Sequence, residues 1–292
     1  MSYVSEEIAS QPECWQKAIA LAAKVGPSLP SRGERVAAVG CGTSYNMALA
    51  YASLREVAGE GLTDAMPASE LNRRNYDRYL FFSRSGTTTE VLQALAQVPP
   101  GTATTALTAD ASSPVANKAG ATLVLDFAAE RSIVQTRFAT SLLILLRAHL
   151  GEDLEGAVAD ARRYVTAPLP EGVVEAERFT FLGRGWTIGV AHEAALKLRE
   201  ASLTATESYP AMEFRHGPIS MVDTQSVVWS FSDLPTDLTS QLAATGGRLV
   251  LADRDPLAHL VLAQRVAVAR AQSRGLDPDH PRNLAFSVIL SS

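Results

Sequence analysis

The chain has 292 residues, of which 47% are hydrophobic and 20% charged, with a formal net charge of −5. These values describe a globular protein long enough for two domains, and they argue against a disordered chain or one built to hold nucleic acid. The longest obvious apolar run, Leu142 to Leu146, is too short to span a membrane, Met1 to Gln11 lacks a signal core, and Cys14 and Cys41 make neither a disulfide framework nor a zinc site. A cytoplasmic enzyme fits these limits.

Pro12 to Val25 has helical spacing, with Trp15, Ala18, Leu21 and Ala22 on one side, and predicts a leading helix. Val36 to Val39 reads as a buried strand, Gly40-Cys41-Gly42-Thr43-Ser44 as its turn, and Tyr45 to Leu54 as the next helix. Further strands are predicted at Tyr79 to Phe82, Thr104 to Leu107 and Thr122 to Leu125, with helical patterns between several of them. Strands alternating with helices imply a parallel sheet covered on both faces, an α/β fold. Residues 151–177 hold a charged helical stretch and then Pro168-Leu169-Pro170-Glu171-Gly172, which reads as a linker. The pattern then restarts. Phe179 to Gly185 echoes Val36 to Gly42, each a strand running into Gly-x-Gly before a helix. Strands at Val227 to Phe231 and Arg248 to Leu251, a helix from Leu257 to Ser273 and a polar, Pro-interrupted tail complete the second half. The expected organisation is therefore a first domain at 1–150 with its leading helix, a linker at 151–177, and a second domain with the tail at 178–292.

Neither Gly-x-Gly turn completes the dinucleotide pattern, because the third position holds Tyr45 in one copy and Ile188 in the other. No cofactor is expected, and no spacing of His, Cys, Asp or Glu suggests a metal site.

Three stretches could carry chemistry. Ser83-Arg84-Ser85-Gly86-Thr87-Thr88-Thr89 follows an apolar strand and precedes a helical pattern. Free N–H groups and the helix dipole favour an anion at such a turn, and hydroxyls suit a small phosphate. The same residues also suit a Ser/Thr-rich N-cap and turn. Glu193, Lys197 and Glu200 fall on one helix face, either as an exposed ion-pair stripe or beside a ligand crevice of the second α/β unit. His216, followed by Gly217-Pro218, belongs at a helix end or in a loop, where it can exchange protons near neutral pH or partner a helix C-terminus.

The order of these motifs is similar to that of double sugar-isomerase (SIS) domain proteins. The matching stretches are Glu7 to Pro12, Cys41-Gly42-Thr43-Ser44, Ser83 to Thr88, Glu193 to Glu200, Glu213 to Pro218 and Pro281 to Ala285. The chain resembles the isomerase half of glucosamine-6-phosphate synthase and the stand-alone amino-sugar phosphate deaminases and isomerases. That resemblance implies two flavodoxin-like SIS domains, each a parallel sheet between helices. It implies that Ser44, Ser83, Arg84, Ser85 and Thr88 hold a sugar phosphate, with Glu193 lining the site. Glu200 would move a proton between C1 and C2, with Lys197 beside it, and His216 would help open the sugar ring. In the family that histidine reaches a neighbouring subunit's site, so a homodimer with shared sites is expected, and neither nucleic acid nor a membrane is an expected partner. The chain departs from the synthase pattern twice: Arg84 stands where Gln is usual, and Phe286 where a Lys able to form an imine follows Asn-Leu-Ala. Nothing in the chain corresponds to a glutaminase segment, so glutamine-fed synthesis is not expected. The implied activity is isomerisation or deamination of an amino-sugar 6-phosphate. The alternatives are a non-catalytic sugar-phosphate sensor and a deglycase of a phosphorylated sugar–amine adduct.

Overall fold

The structure, a computed structural model, describes residues 2–72 and 74–290. It contains two parallel sheets, each in its own unit of the chain. One unit comprises Ser10–Arg131, Gln135–Leu154 and Ala285–Ser292; the other comprises Met1–Ala9, Ser132–Val134 and Glu155–Leu284.

The chain begins with helix α1 (Tyr3–Ala9), which belongs to the second unit. The first unit opens on α2 (Gln11–Ala22), with Pro12 in its first turn and Trp15 fully buried. The elements that follow are β1 (Val36–Gly40), α3 (Thr43–Val57), β2 (Thr63–Pro67), β3 (Arg78–Phe82), α4 (Thr89–Ala96), β4 (Ala103–Thr108), α5 (Pro114–Lys118), β5 (Ala121–Val124) and α6 (Arg137–His149). The strand order is β2-β1-β3-β4-β5, all parallel, which is the flavodoxin-like order. The near-continuous apolar runs of β1 and β3 are buried because helices cover both faces of the sheet.

The second unit adds α7 (Glu155–Thr166), β6 (Arg178–Gly183), α8 (Thr187–Ser202), β7 (Thr206–Pro210), β8 (Ser226–Ser230), α9 (Thr236–Ala244), β9 (Arg248–Leu251) and α10 (Pro256–Ser273). Its strand order, β7-β6-β8-β9, repeats the first sheet without a fifth strand. The registers repeat too: Val36 pairs with Thr63 and Arg78, and Phe179 with Thr206 and Val227. Both first strands end on a glycine that the next helix approaches closely. A Cβ on Gly40 would lie 2.7 Å from Ser44 atoms, and one on Gly183 would lie 2.3 Å from the Thr187 carbonyl oxygen. The core of this unit is aromatic, with Phe181 stacked among Phe179, Trp229 and Phe231. Trp229 Nε1 donates to His259 Nδ1 at 3.0 Å, and burial pushes that imidazole down to about 4.

The unit boundaries differ from those expected, at both ends of the chain. α1 lies in the second unit, where its first N–H groups, those of Tyr3 and Val4, donate to the Asp279 carboxylate at 2.8 Å each. Glu7 of α1 accepts from the backbone N–H and the hydroxyl of Ser132. Residues 285–290 lie in the first unit. Within 151–177, α7 is a packed helix, because Ala157, Val158, Ala161 and Tyr164 make a buried stripe and Arg265 caps the Tyr164 and Ala167 carbonyls at 2.7 and 2.6 Å. Among the described residues no helix is long and apolar enough to cross a membrane.

Candidate functional site

In the first unit the hydroxyl-rich turn joins β3 to the N-terminus of α4. Its backbone is tied to the end of β4: Ser83 N–H donates to the Leu107 carbonyl at 3.0 Å, and the Arg84 carbonyl accepts from Ala109 N–H and the Thr108 hydroxyl at 3.0 and 3.1 Å. Ser83 Oγ accepts from Gly86 N–H at 3.1 Å, and Ser85 Oγ accepts from the Thr87 N–H and hydroxyl at 3.2 and 3.0 Å. Gly86 sits at φ 63°, and a Cβ there would come within 2.2 Å of the Ser113 hydroxyl. Only glycine fits both demands. Ser44 is buried in the first turn of α3, its N–H bonded to the Cys41 carbonyl. Burial pushes the neighbouring Cys41 thiol up, so it is not a thiolate nucleophile at neutral pH.

Arg84 does not stand free in this turn. Its guanidinium is buried, and Nη1 lies 3.1 Å from Glu130 Oε2, whose side chain is fully buried. Glu130 also accepts from Thr136 N–H at 2.6 Å and from the Thr136 hydroxyl at 3.0 Å. Arg84 Nη2 donates to the Phe286 carbonyl at 3.0 Å, and its guanidinium carbon lies 3.9 Å from the centroid of the Phe286 ring. Further along the tail, the Thr87 and Ser287 hydroxyls are 2.9 Å apart, the Thr88 and Ser287 hydroxyls are 3.3 Å apart, and Thr89 N–H donates to the Val288 carbonyl at 3.1 Å. A cavity of about 270 Å³ beside the turn is lined by Arg84, Ser85, Thr87, Asp110 and Phe286 among others. The Asp110 carboxyl on its wall is held low by the Ser112 side chain and backbone N–H.

In the second unit the ionic set lies on α8. Lys197 Nζ is 2.5 Å from Glu200 Oε2 and 3.4 Å from Glu193 Oε1. Lys197 and Glu193 are buried, so the exposed-stripe reading does not describe them; Glu200, at 19% side-chain exposure, reaches the surface. α8 packs on β6, β7 and α10 and ends where Leu203 turns left-handed at φ 53°. A lysine inside such a layer needs carboxylates around it, and the i−4 and i+3 positions supply them. His216 caps the short helical turn Glu213–Arg215, a helix end followed by Gly217 and Pro218, and is exposed.

The loop of the second unit that corresponds to the hydroxyl-rich turn reads Ser230-Phe231-Ser232-Asp233, with Pro235 before α9. The negative Asp233 and the smaller number of hydroxyls leave the anion-site pattern to the first unit alone. Among the described residues no group of three or more His, Cys, Asp or Glu could hold a metal ion. Glu130, Ser287 and Val288 were not legible as site neighbours in the sequence. A buried arginine requires a counter-ion, but nothing local in the sequence identifies which carboxylate it is.

No protein-family model matches the chain. A glutamine–fructose-6-phosphate aminotransferase (isomerizing) from Photorhabdus laumondii is 32% identical over 335 aligned positions, covering 91% of this chain and 54% of that protein. The chain spans about half the length of the curated relatives it matches. Among solved structures, glucosamine-6-phosphate deaminase from Thermotoga maritima superposes with a TM-score of 0.85 at 27% identity, covering 99% of this chain and all of that one. The tagatose-6-phosphate ketose/aldose isomerase of Escherichia coli shares the fold, with a TM-score of 0.81 at 20% identity over 97% of this chain and 98% of that one. Two parallel sheets in flavodoxin-like order, with a hydroxyl-rich turn after one and a buried ionic helix in the other, define an SIS-type α/β protein. The chain is similar, over most of its length, to proteins of the sugar-isomerase (SIS) type.

Proposed function

We propose that the chain is a phosphosugar isomerase or deaminase acting on an amino-sugar 6-phosphate, of the glucosamine 6-phosphate kind, by proton transfer between C1 and C2. The observation that carries this reading is Glu200: a carboxylate at the surface of α8, held through one oxygen by buried Lys197. Such a group is fixed in position and can still meet a ligand. In the open-chain aldose it takes the proton from C2; the C–H electron pair becomes the C1–C2 double bond as the C1 carbonyl π pair moves to O1, which takes up a proton. The carboxyl, whose proton can exchange with solvent, then protonates C1 while the C2 amine gives up a proton and becomes the C2 imine, which water hydrolyses to the ketone with release of ammonia. His216 would assist ring opening, Lys197 keeps Glu200 in place, and Glu193 lines the site. Ser44, Ser83, Ser85 and Thr88 would hold the phosphate, and binding that remote group supports the reaction at C2. Arg84 would act through its grip on the turn and the tail. Phe286 brings no amine, so no imine with the protein enters the sequence of steps. The neighbouring deaminase structure, similar along the whole chain, supports this substrate class.

Incubation with glucosamine 6-phosphate in D₂O, followed by proton NMR, tests the reading. Wild type should wash out the C2 hydrogen, and Glu200→Gln should lose it roughly 10²–10⁴-fold more slowly while binding the sugar nearly as well. Equal rates would remove Glu200 from the role. Binding with no exchange by wild type would favour the second reading, a sensor, which is supported by Phe286 at the imine-forming position and by a tail seated on the turn.

A further inference from the structure

The donors that suit the hydroxyl-rich turn to an anion are already engaged. Thr87 Oγ1 and Thr88 Oγ1 both meet Ser287 Oγ, at 2.9 and 3.3 Å, and Thr89 N–H, at the positive end of α4, meets the Val288 carbonyl at 3.1 Å. Leu290 N–H returns a bond to Thr89 Oγ1 at 3.0 Å, and Arg84 grips Phe286 by its carbonyl and its ring. The tail otherwise has little to hold it: Phe286, Val288, Ile289 and Leu290 are all exposed. Its order comes from the turn.

We propose that residues 285–290 are a tethered occupant of the hydroxyl-rich turn, which a phosphate group must displace in order to bind. This rests on the reading of that turn as the phosphate site. The tail presents neutral groups, a hydroxyl and a carbonyl, where a phosphate would present charged oxygens. Hydrogen bonds to a charged partner are roughly twice as strong as neutral ones, so the exchange runs in favour of phosphate once contact is made. A tethered group nevertheless competes at an effective concentration on the order of millimolar. The tail therefore sets a threshold. A bare anion binds more weakly because of it, and a ligand that adds sugar contacts to its phosphate overcomes it readily. Arg84 is the positioning residue of this device: anchored by Glu130, it holds Phe286 so that Ser287 and Val288 reach the donors.

Calorimetric titration of the full chain with inorganic phosphate, as wild type, Phe286→Ala and Ser287→Ala, tests this, together with hydrogen exchange at the Leu290 amide. Both substitutions lie in an exposed tail and leave the fold intact. Both variants should bind phosphate about three- to tenfold more tightly than wild type, the range of one lost cation–π or hydrogen-bond contact, and phosphate should speed exchange at Leu290 in wild type. Binding by the variants alone supports the same conclusion. If all three chains bind phosphate equally, the turn is an anion site but the tail does not compete for it. If phosphate slows exchange at Leu290, the tail closes over the anion, and the proposal is overturned. Absence of binding in all three chains removes the phosphate reading of the turn, and the tail proposal falls with it.

Discussion

The guanidinium of Arg84 lies 3.9 Å from the ring centroid of Phe286, 202 positions further along the chain. These are the two positions at which the chain departs from the synthase pattern it resembles. The two side chains are in contact: an arginine in the turn and an aromatic ring in the tail that it holds.

Arg84 and Glu130 form a buried pair, and breaking it from one side strands a charge. Arg84→Gln should cost about 3–5 kcal/mol of stability. Adding Glu130→Gln should return much of that loss, since the amide oxygen still accepts from Thr136. Urea unfolding of the two single variants and the double variant measures the coupling; additive losses would show that the pair is not the source.

Lys197→Met tests the ionic set on α8. It leaves Glu193 and Glu200 without the ammonium between them, one of them fully buried. A loss of about 3–5 kcal/mol is expected, and Glu193→Gln added to it should recover part. A variant as stable as wild type would mean that Lys197 is not the group that keeps Glu193 tolerable inside the layer.

His259 makes stability depend on pH. Burial holds its folded value near 4, below an ordinary histidine near 6.5, so the unfolded chain binds the extra proton first. Its contribution is fully present above about pH 6.5 and is lost as pH falls toward 4, at roughly 1 kcal/mol per pH unit. His259→Gln, which keeps an acceptor for Trp229 Nε1, should flatten thermal melts across that window. An unchanged slope would place the sensitivity elsewhere.

Ser85→Ala should weaken binding of a sugar 6-phosphate by roughly 1–3 kcal/mol, the value of a hydrogen bond to a charged group. Calorimetry reads this directly, and unchanged affinity would take Ser85 out of the phosphate site.

If His216 serves a neighbouring subunit, then inactive Glu200→Gln and His216→Ala chains should regain some activity when mixed and refolded together. A monomer that is fully active by light scattering and assay would rule that out.

Much of the fold was legible because β1 and β3 are near-continuous apolar runs, β4 is rich in β-branched threonine, and the two Gly-x-Gly turns announce the same unit twice. β2 and β7 were not. They read Thr-Asp-Ala-Met-Pro and Thr-Glu-Ser-Tyr-Pro, polar edge strands ending in proline, with no apolar run to mark them. α7 has the stripe of a packed helix, but the Pro-Leu-Pro beyond it drew the whole stretch into a linker reading. At the site, the spacing of Glu193, Lys197 and Glu200 and the density of hydroxyls at 83–89 were readable because both are local. The Arg84 contacts span 46 and 202 residues and leave no local trace.

The capping of α1 by Asp279 has a consequence for how the protein is made. Tyr3 and Val4 leave the ribosome well before Asp279, yet it is that carboxylate, 276 and 275 residues further along, that completes their helix. The body of the first unit is contiguous apart from three residues and can fold while translation continues. α1 must wait, with its apolar face uncovered, until residues 155–284 have emerged. A ribosome stalled in the second half would therefore carry a finished first sheet and an exposed leading helix, the species a trigger-factor-like holdase would be expected to meet.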